Sequence, residues 1–133
     1  MLTPSLEDYL EAIYIISREK KVARVKEVAE FLDVKTSSVV GALKILKNKG
    51  FVEQERYGYI YLTAKGIEKA EEIYRKHNLL VEFLRDVLDL PEHIAEADAC
   101  KVEHVLSKQT FEKLAKFVEH FKKCPYKKEI CIG

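Results

Sequence analysis

The sequence predicts a mainly α protein with one small β-hairpin set into its first half. Three observations predict this. Apolar residues recur at three- and four-residue spacing over most of the 133 positions. Thr, Pro and Gly punctuate these runs where helix caps and stops belong. The stretch "FVEQERYGYIYLT" alternates instead, on both sides of Tyr57-Gly58, as a hairpin does.

In "TPSLEDYLEAIYIIS", Thr3 is placed to cap a helix and Pro4 suits its first position. Leu6, Tyr9, Leu10, Ile13 and Ile16 form its core stripe. Asp8 and Glu11 lie on the reverse side beside Ala12 and Ile15, a mixture unlike an ordinary solvated face. Val25, Val28, Ala29 and Leu32 then make a short amphipathic helix that "DVKTSS" breaks. Thr36 or Ser37 is expected to cap the next helix, which buries Val39, Leu43 and Leu46 and stops at a left-handed Gly50. Two short helices on a tight turn, followed by a hairpin, outline a winged helix-turn-helix.

Thr63 caps a long helix, "AKGIEKAEEIYRKHNLLVEFLRDVL". Its stripe of Ile67, Ala70, Tyr74, His77, Val81, Leu84 and Leu88 is a heptad seam, which invites a partner helix from this chain or a second copy. Pro91 ends the run and opens another helix, with Asp89 and Glu92 spaced as a capping box. A last helix spans about 108–123, with Phe111, Leu114, Ala115, Val118 and Phe121 inward. The expected division is a winged helix over 1–66 and an all-α domain over 67–133.

No apolar run approaches the roughly 20 residues of a membrane span. The acidic N-terminus has neither the basic start nor the apolar stretch of a signal peptide, so a cytoplasmic protein is expected. Three cysteines do not read as a secreted disulfide framework. The Asn- and Gln-poor, Lys- and Glu-rich composition suits a thermophile, whose cytosol tolerates disulfides. Cys124 and Cys131 are read as incidental thiols or as such a pair, with metal binding by the tail as a minor alternative. The net charge of +1 gives no overall pull toward nucleic acid, but Lys35, Lys44, Lys47 and Lys49 cluster between Val34 and Val52 without an acid.

Those lysines flank the exposed face of the second short helix, where Ser37, Gly41, Lys44 and Asn48 line up. Small polar residues let a helix enter the major groove, and lysines meet phosphates. With Lys35, Thr36 and Ser38 beside them, and Arg56 and Tyr57 at the wing tip, this face is expected to contact double-stranded DNA. In "ADACKVEHVLS", Cys100, Glu103 and His104 share one helical face, opposite Val102, Val105 and Leu106. Each of these groups alone is ordinary. Together with Asp8, Glu11 and His77 they put metal-competent groups on three helices. Carboxylate oxygen, imidazole nitrogen and thiolate suit a divalent first-row transition metal, whereas magnesium and calcium do not recruit sulfur.

In that order, "TPSLEDYLEAIY", "ARVKEVAEFLDVKTSSVVGALKILKNKGFV", "LTAKGIEKAEEIYRKHNLLVEFL" and "CKVEHVLS" resemble the metal-dependent repressors of the diphtheria-toxin-repressor and manganese-transport-regulator types. The resemblance implies a homodimeric repressor of metal-uptake genes, active with Fe²⁺ or Mn²⁺ and bound to palindromic operators. It makes 67–133 the metal-binding and dimerisation domain. Asp8 and Glu11 stand where the manganese type has carboxylate ligands; the iron type has methionine at the first. His77, Glu103 and His104 match ligands common to both. Cys100 falls where the iron type has cysteine and the manganese type glutamate. The iron type's ancillary glutamate and histidine align with Val81 and Glu96, and a valine cannot coordinate. The thiolate tilts the expected ion toward Fe²⁺, while Zn²⁺, Co²⁺ or Ni²⁺ would bind more tightly in vitro. Rival readings are a winged-helix regulator sensing an organic ligand, a metal-dependent hydrolase, and a purely structural dimer. The hydrolase needs a substrate-sized cleft that short connections do not shape, and the structural dimer leaves Lys44 and the wing without a role. No membrane partner and no small organic substrate are expected.

Overall fold

A computed structural model describes residues 2–56 and 58–124. Helix α1 (Pro4–Lys20) is followed by strand β1 (Ala23–Arg24), helices α2 (Val25–Leu32) and α3 (Thr36–Asn48), and strands β2 (Val52–Gln54) and β3 (Tyr59–Leu62). Helix α4 (Ala64–Glu82) runs into a π-helical turn, Phe83–Val87, before α5 (Glu92–Val102) and α6 (Lys108–Lys123). The chain forms two compact units that divide within α4, between Ile73 and Tyr74.

In the first unit, the Thr3 hydroxyl accepts a hydrogen bond from the Leu6 N–H at 3.2 Å, and Pro4 opens α1 as expected. Arg18 and Lys20 in the last turn complement the helix dipole. The stripe Leu6, Tyr9, Leu10, Ile13 and Ile16 is buried against Val28, Val39, Leu43, Leu46 and Ile60. Each fully buried aliphatic side chain there contributes about 1.5–3 kcal/mol. Burial also reaches the reverse side of α1, where Glu11 and Ala12 are covered.

Helix α2 ends where Asp33 turns left-handed at φ 54°, and α3 starts after Lys35. Neither Thr36 nor Ser37 caps it. Thr36 is already helical and Lys35 holds the cap position without a side-chain bond. Helix α3 stops as its sequence predicts: Gly50 has φ 81°, its N–H reaches the Lys47 carbonyl, and Phe51 N–H reaches the Leu46 carbonyl, both at 3.0 Å.

The wing has three strands rather than two, in the order β1-β3-β2. β1 pairs Ala23 with Ile60 and Arg24 with Tyr59, and the Arg24 guanidinium stacks 4.6 Å from the Tyr59 ring centre. Two residues are too few to show a period of two, so β1 leaves no alternation to read. After β3, the Thr63 hydroxyl accepts from Gly66 N–H at 3.0 Å and donates to the Gly50 carbonyl at 2.6 Å, joining the α4 cap to the α3 stop. Helix and loop approach so closely that a Cβ on Gly66 would lie 1.9 Å from the Phe51 carbonyl oxygen.

The long helix departs from the predicted seam. Ile67 and Leu88 are exposed, and Ile73, Leu80 and Val87 are buried instead, alongside Ala70 and Val81. The α-helical pattern stops at Glu82, and Leu88 N–H bonds five residues back to Phe83 in the π-turn, which rotates later side chains out of α register. The Asp89–Glu92 capping box does not form. Asp89 takes φ 58°, Pro91 is the cap residue, and no side chain caps α5.

The second unit's core joins Leu80 and Val81 to Ala95 and Ala99, with Leu84, Val102, Leu106 and Leu114 packed around them. Ser107 caps α6, which buries Val118 and Phe121. Phe117 meets Phe83 edge-on at 6.3 Å. No helix among the described residues is long and apolar enough to cross a membrane. Tyr57 and Cys131, and with Cys131 the tail disulfide, lie outside the described residues.

Candidate metal centre and DNA-reading face

The quoted α5 segment does not continue as helix through its polar residues. Helix α5 ends at Val102, so Glu103 is its C-cap and His104 and Val105 lie in the following turn. Val105, expected on the apolar side, is 78% exposed. Cys100 is exposed, whereas the Glu103 side chain is wholly buried and that of His104 is 6% exposed. The buried positions Ala95 and Ala99 are four apart, and one further step of four reaches Glu103. A carboxylate therefore occupies the next place in an apolar stripe.

Two imidazoles flank it. His77 Nδ1, from α4, lies 3.1 Å from Glu103 Oε2, and His104 Nε2 lies 3.4 Å from Oε1. Neither carboxylate oxygen accepts an aligned hydrogen bond among the described residues. Leaving a buried acceptor unsatisfied costs roughly 1–3 kcal/mol, and more when it is charged. The outer nitrogen of His77, Nε2, is 2.7 Å from Glu96 Oε2 on α5. Glu96 was missing from the predicted site because its contact depends on how α5 packs on α4. Its place four residues before Cys100, on the same helical face, is the signal that marks it.

In the first unit, Asp8 is half-buried and Glu11 is 8% exposed, one turn apart on α1. The donor types of the second unit, carboxylate, imidazole and one exposed thiol, fit a divalent transition metal.

The other predicted surface is as open as the sequence implies. Lys35, Thr36, Ser37, Ser38, Gly41, Lys44 and Asn48 are all exposed along α3, opposite its buried Val39, Leu43 and Leu46. A Cβ at Gly41 would meet no atom within 4 Å, so no packing inside the unit demands a glycine there. Arg56 is exposed in the turn between β2 and β3.

A winged helix is thus followed by a helical unit with a buried, imidazole-flanked carboxylate. The chain belongs to the iron dependent repressor family: residues 1–60 match its N-terminal DNA binding domain and residues 63–132 its metal binding and dimerisation domain. It is 42% identical over 122 residues to an uncharacterized HTH-type transcriptional regulator of Methanocaldococcus jannaschii, covering 91% of this chain and 98% of that protein. Among solved structures it is similar to the manganese regulator SloR, at TM-score 0.79 and 33% identity over 94% of this chain and 58% of that one. The metal-dependent transcriptional regulator MtsR matches at TM-score 0.81 and 29% identity, over 89% of this chain and 55% of that one. The IdeR of T. acidophilum matches at 0.76 and 25%, over 90% and 56%. The chain thus spans just over half the length of these solved regulators. Its family is one of transcriptional regulators, not enzymes.

Proposed function

We propose that the chain is a homodimeric repressor that binds palindromic operators of metal-homeostasis genes when it carries a divalent ion, with Fe²⁺ slightly favoured over Mn²⁺. One observation carries this reading: a buried Glu103 carboxylate with an imidazole beside each oxygen and no aligned donor among the described residues, inside a metal binding and dimerisation domain.

Asp8, Glu11, His77, Cys100, Glu103 and His104 would hold the ion. When bound, it supplies the positive charge that offsets these acidic groups. Glu103 contributes a full charge shielded from water, and His77 and His104 contribute neutral nitrogen donors. Cys100 contributes the softest donor and with it the tilt toward Fe²⁺. On α3, the small residues Thr36 to Ser38 and Gly41 allow close approach to base edges, while Lys44 and Arg56 meet phosphates.

Anaerobically purified, chelator-treated protein supplies the test. A duplex is selected from a random pool with Fe²⁺ or Mn²⁺ present, and its affinity is then measured with ion and with chelator. An ion at 100 times its dissociation constant biases the binding state by about 2.7 kcal/mol per site, roughly 100-fold. Linkage requires the duplex to tighten the ion by the same factor. Equal affinity with ion and with chelator would overturn the reading.

A further inference from the structure

Glu96 has no role in the proposed ligand set, yet its carboxylate lies within hydrogen-bond distance of a proposed ligand imidazole. Its Oε2 lies 2.7 Å from His77 Nε2, while the other ring nitrogen, Nδ1, lies 3.1 Å from the buried Glu103 Oε2. Glu96 is half exposed, and its carboxylate oxygen faces the ring nitrogen. It can only accept from Nε2–H. In the neutral ring, a proton held at Nε2 leaves the lone pair at Nδ1, facing a carboxylate oxygen that accepts no aligned hydrogen bond. Two acceptors facing each other at that distance repel unless a cation lies between them.

We propose that Glu96 is a positioning residue: it accepts the His77 Nε2 proton, fixes the ring's tautomer and orientation, and so presents the Nδ1 lone pair beside Glu103 for an ion. This rests on the reading of His77 and Glu103 as ligands. It gives Glu96 an outer role through His77 rather than a place in a second ion's coordination shell. A carboxylate behind a ligating imidazole raises its basicity, and its removal typically weakens metal binding 10- to 100-fold.

The test uses Zn²⁺ and Co²⁺ as probes on the full chain carrying Glu96→Ala, Glu96→Gln or Glu103→Gln. Glu96→Ala is expected to weaken binding about 10- to 100-fold at unchanged ions per chain. Glu96→Gln is expected to restore most of the loss, because its amide oxygen still accepts from Nε2–H. In ion-free protein at a pH where the ring is neutral, long-range ¹H–¹⁵N spectra should show His77 protonated at Nε2 in wild type and Glu96→Gln. Glu96→Ala should show a tautomer mixture. A general loss of packing would move the melting temperature but would not be rescued by glutamine with the tautomer restored.

Wild-type affinity and tautomer in Glu96→Ala would overturn the proposal. So would the loss of one bound ion per chain in that variant, which would make Glu96 a ligand. If Glu103→Gln binds like wild type, the ligand reading itself falls. If Glu103→Gln abolishes binding while Glu96→Ala is neutral, only the positioning role falls.

Discussion

Helices α3 and α5 solve opposite problems with the same periodicity. On α3 the residues proposed to touch DNA sit outside an unbroken apolar stripe of Val39, Leu43 and Leu46. On α5 the stripe of Ala95 and Ala99 leads to Glu103, so the proposed ligand occupies a core position. A large external partner can be read by a surface without any loss of core. An ion held out of water needs donors that are also out of water, and the fold accepts that cost in the second unit.

The largest expected effect breaks this contrast at Glu103. Replacing it with methionine, similar in volume and apolar, should raise the stability of the ion-free protein by roughly 1–3 kcal/mol. The same change should erase the stabilisation of about 2.7 kcal/mol that a bound ion provides at 100 times its dissociation constant. Thermal melts in chelator and in Mn²⁺ measure both. A methionine variant less stable in chelator would mean the carboxylate serves the fold, and α5 would then not differ from α3.

Two glycines of the first unit sharpen the surface side. Gly66→Ala places a methyl group against the Phe51 carbonyl, and neither backbone can give way cheaply. The expected loss is about 1–3 kcal/mol, as for an overpacked core. Gly41→Ala meets open space and gains helix propensity, about 1 kcal/mol. It should nevertheless weaken operator binding about tenfold, or roughly 1.4 kcal/mol, if the α3 backbone must approach DNA closely. Denaturant melts and binding isotherms on both variants separate the roles; unimpaired DNA binding by Gly41→Ala would remove that glycine from the reading face.

Where chemistry is local, the sequence announces the structure. The Thr3 cap, the Gly50 stop and the Thr63 cap each require one residue at one position, and all three form. The α3 faces follow from a period of 3.6 alone. What failed depended on packing between distant segments. Strand β1 exists because β3 pairs with it, not because Ala23 and Arg24 prefer extension. The Leu88 end of the seam assumed an unbroken α-helix, which the π-turn interrupts, while Ile67 is exposed already in the first turn of α4. Cys100, Glu103 and His104 were expected on one helical face, yet α5 ends at Val102, with Cys100 exposed and Glu103 buried; the ligand atoms still converge, Cys100 within 4.8 Å of Glu103 and His104 at 3.4 Å from it. The step of four from Ala95 through Ala99 held the clue to that burial, but a carboxylate at the third place reads as a surface residue until an ion is considered.

The smallest expected effect is a charge pair at the surface, the counterpart of the buried Glu103. Lys20, at the end of α1, donates to the Glu27 carboxylate of α2 at 2.7 Å. That hydrogen bond holds the Glu27 carboxyl below its ordinary value and, with the attraction of the opposite charge, raises the Lys20 ammonium above its own. For Glu27 the stabilisation is present above the unfolded carboxylate value and is lost as pH falls through the lowered folded value. For Lys20 it is present below the unfolded ammonium value and is lost as pH rises through the raised one. The pair therefore helps only on the plateau between them, and with the Lys20 end open to solvent it helps little. Glu27→Gln should lower the melting temperature slightly at neutral pH and low salt. The difference should begin to shrink as pH falls below the ordinary glutamate value of about 4.3, vanish once pH is below the lowered folded value, and shrink at high ionic strength. A large, salt-independent loss would show that a surface charge in the first unit can matter as much as the buried one in the second, and the contrast between α3 and α5 would lose its physical basis.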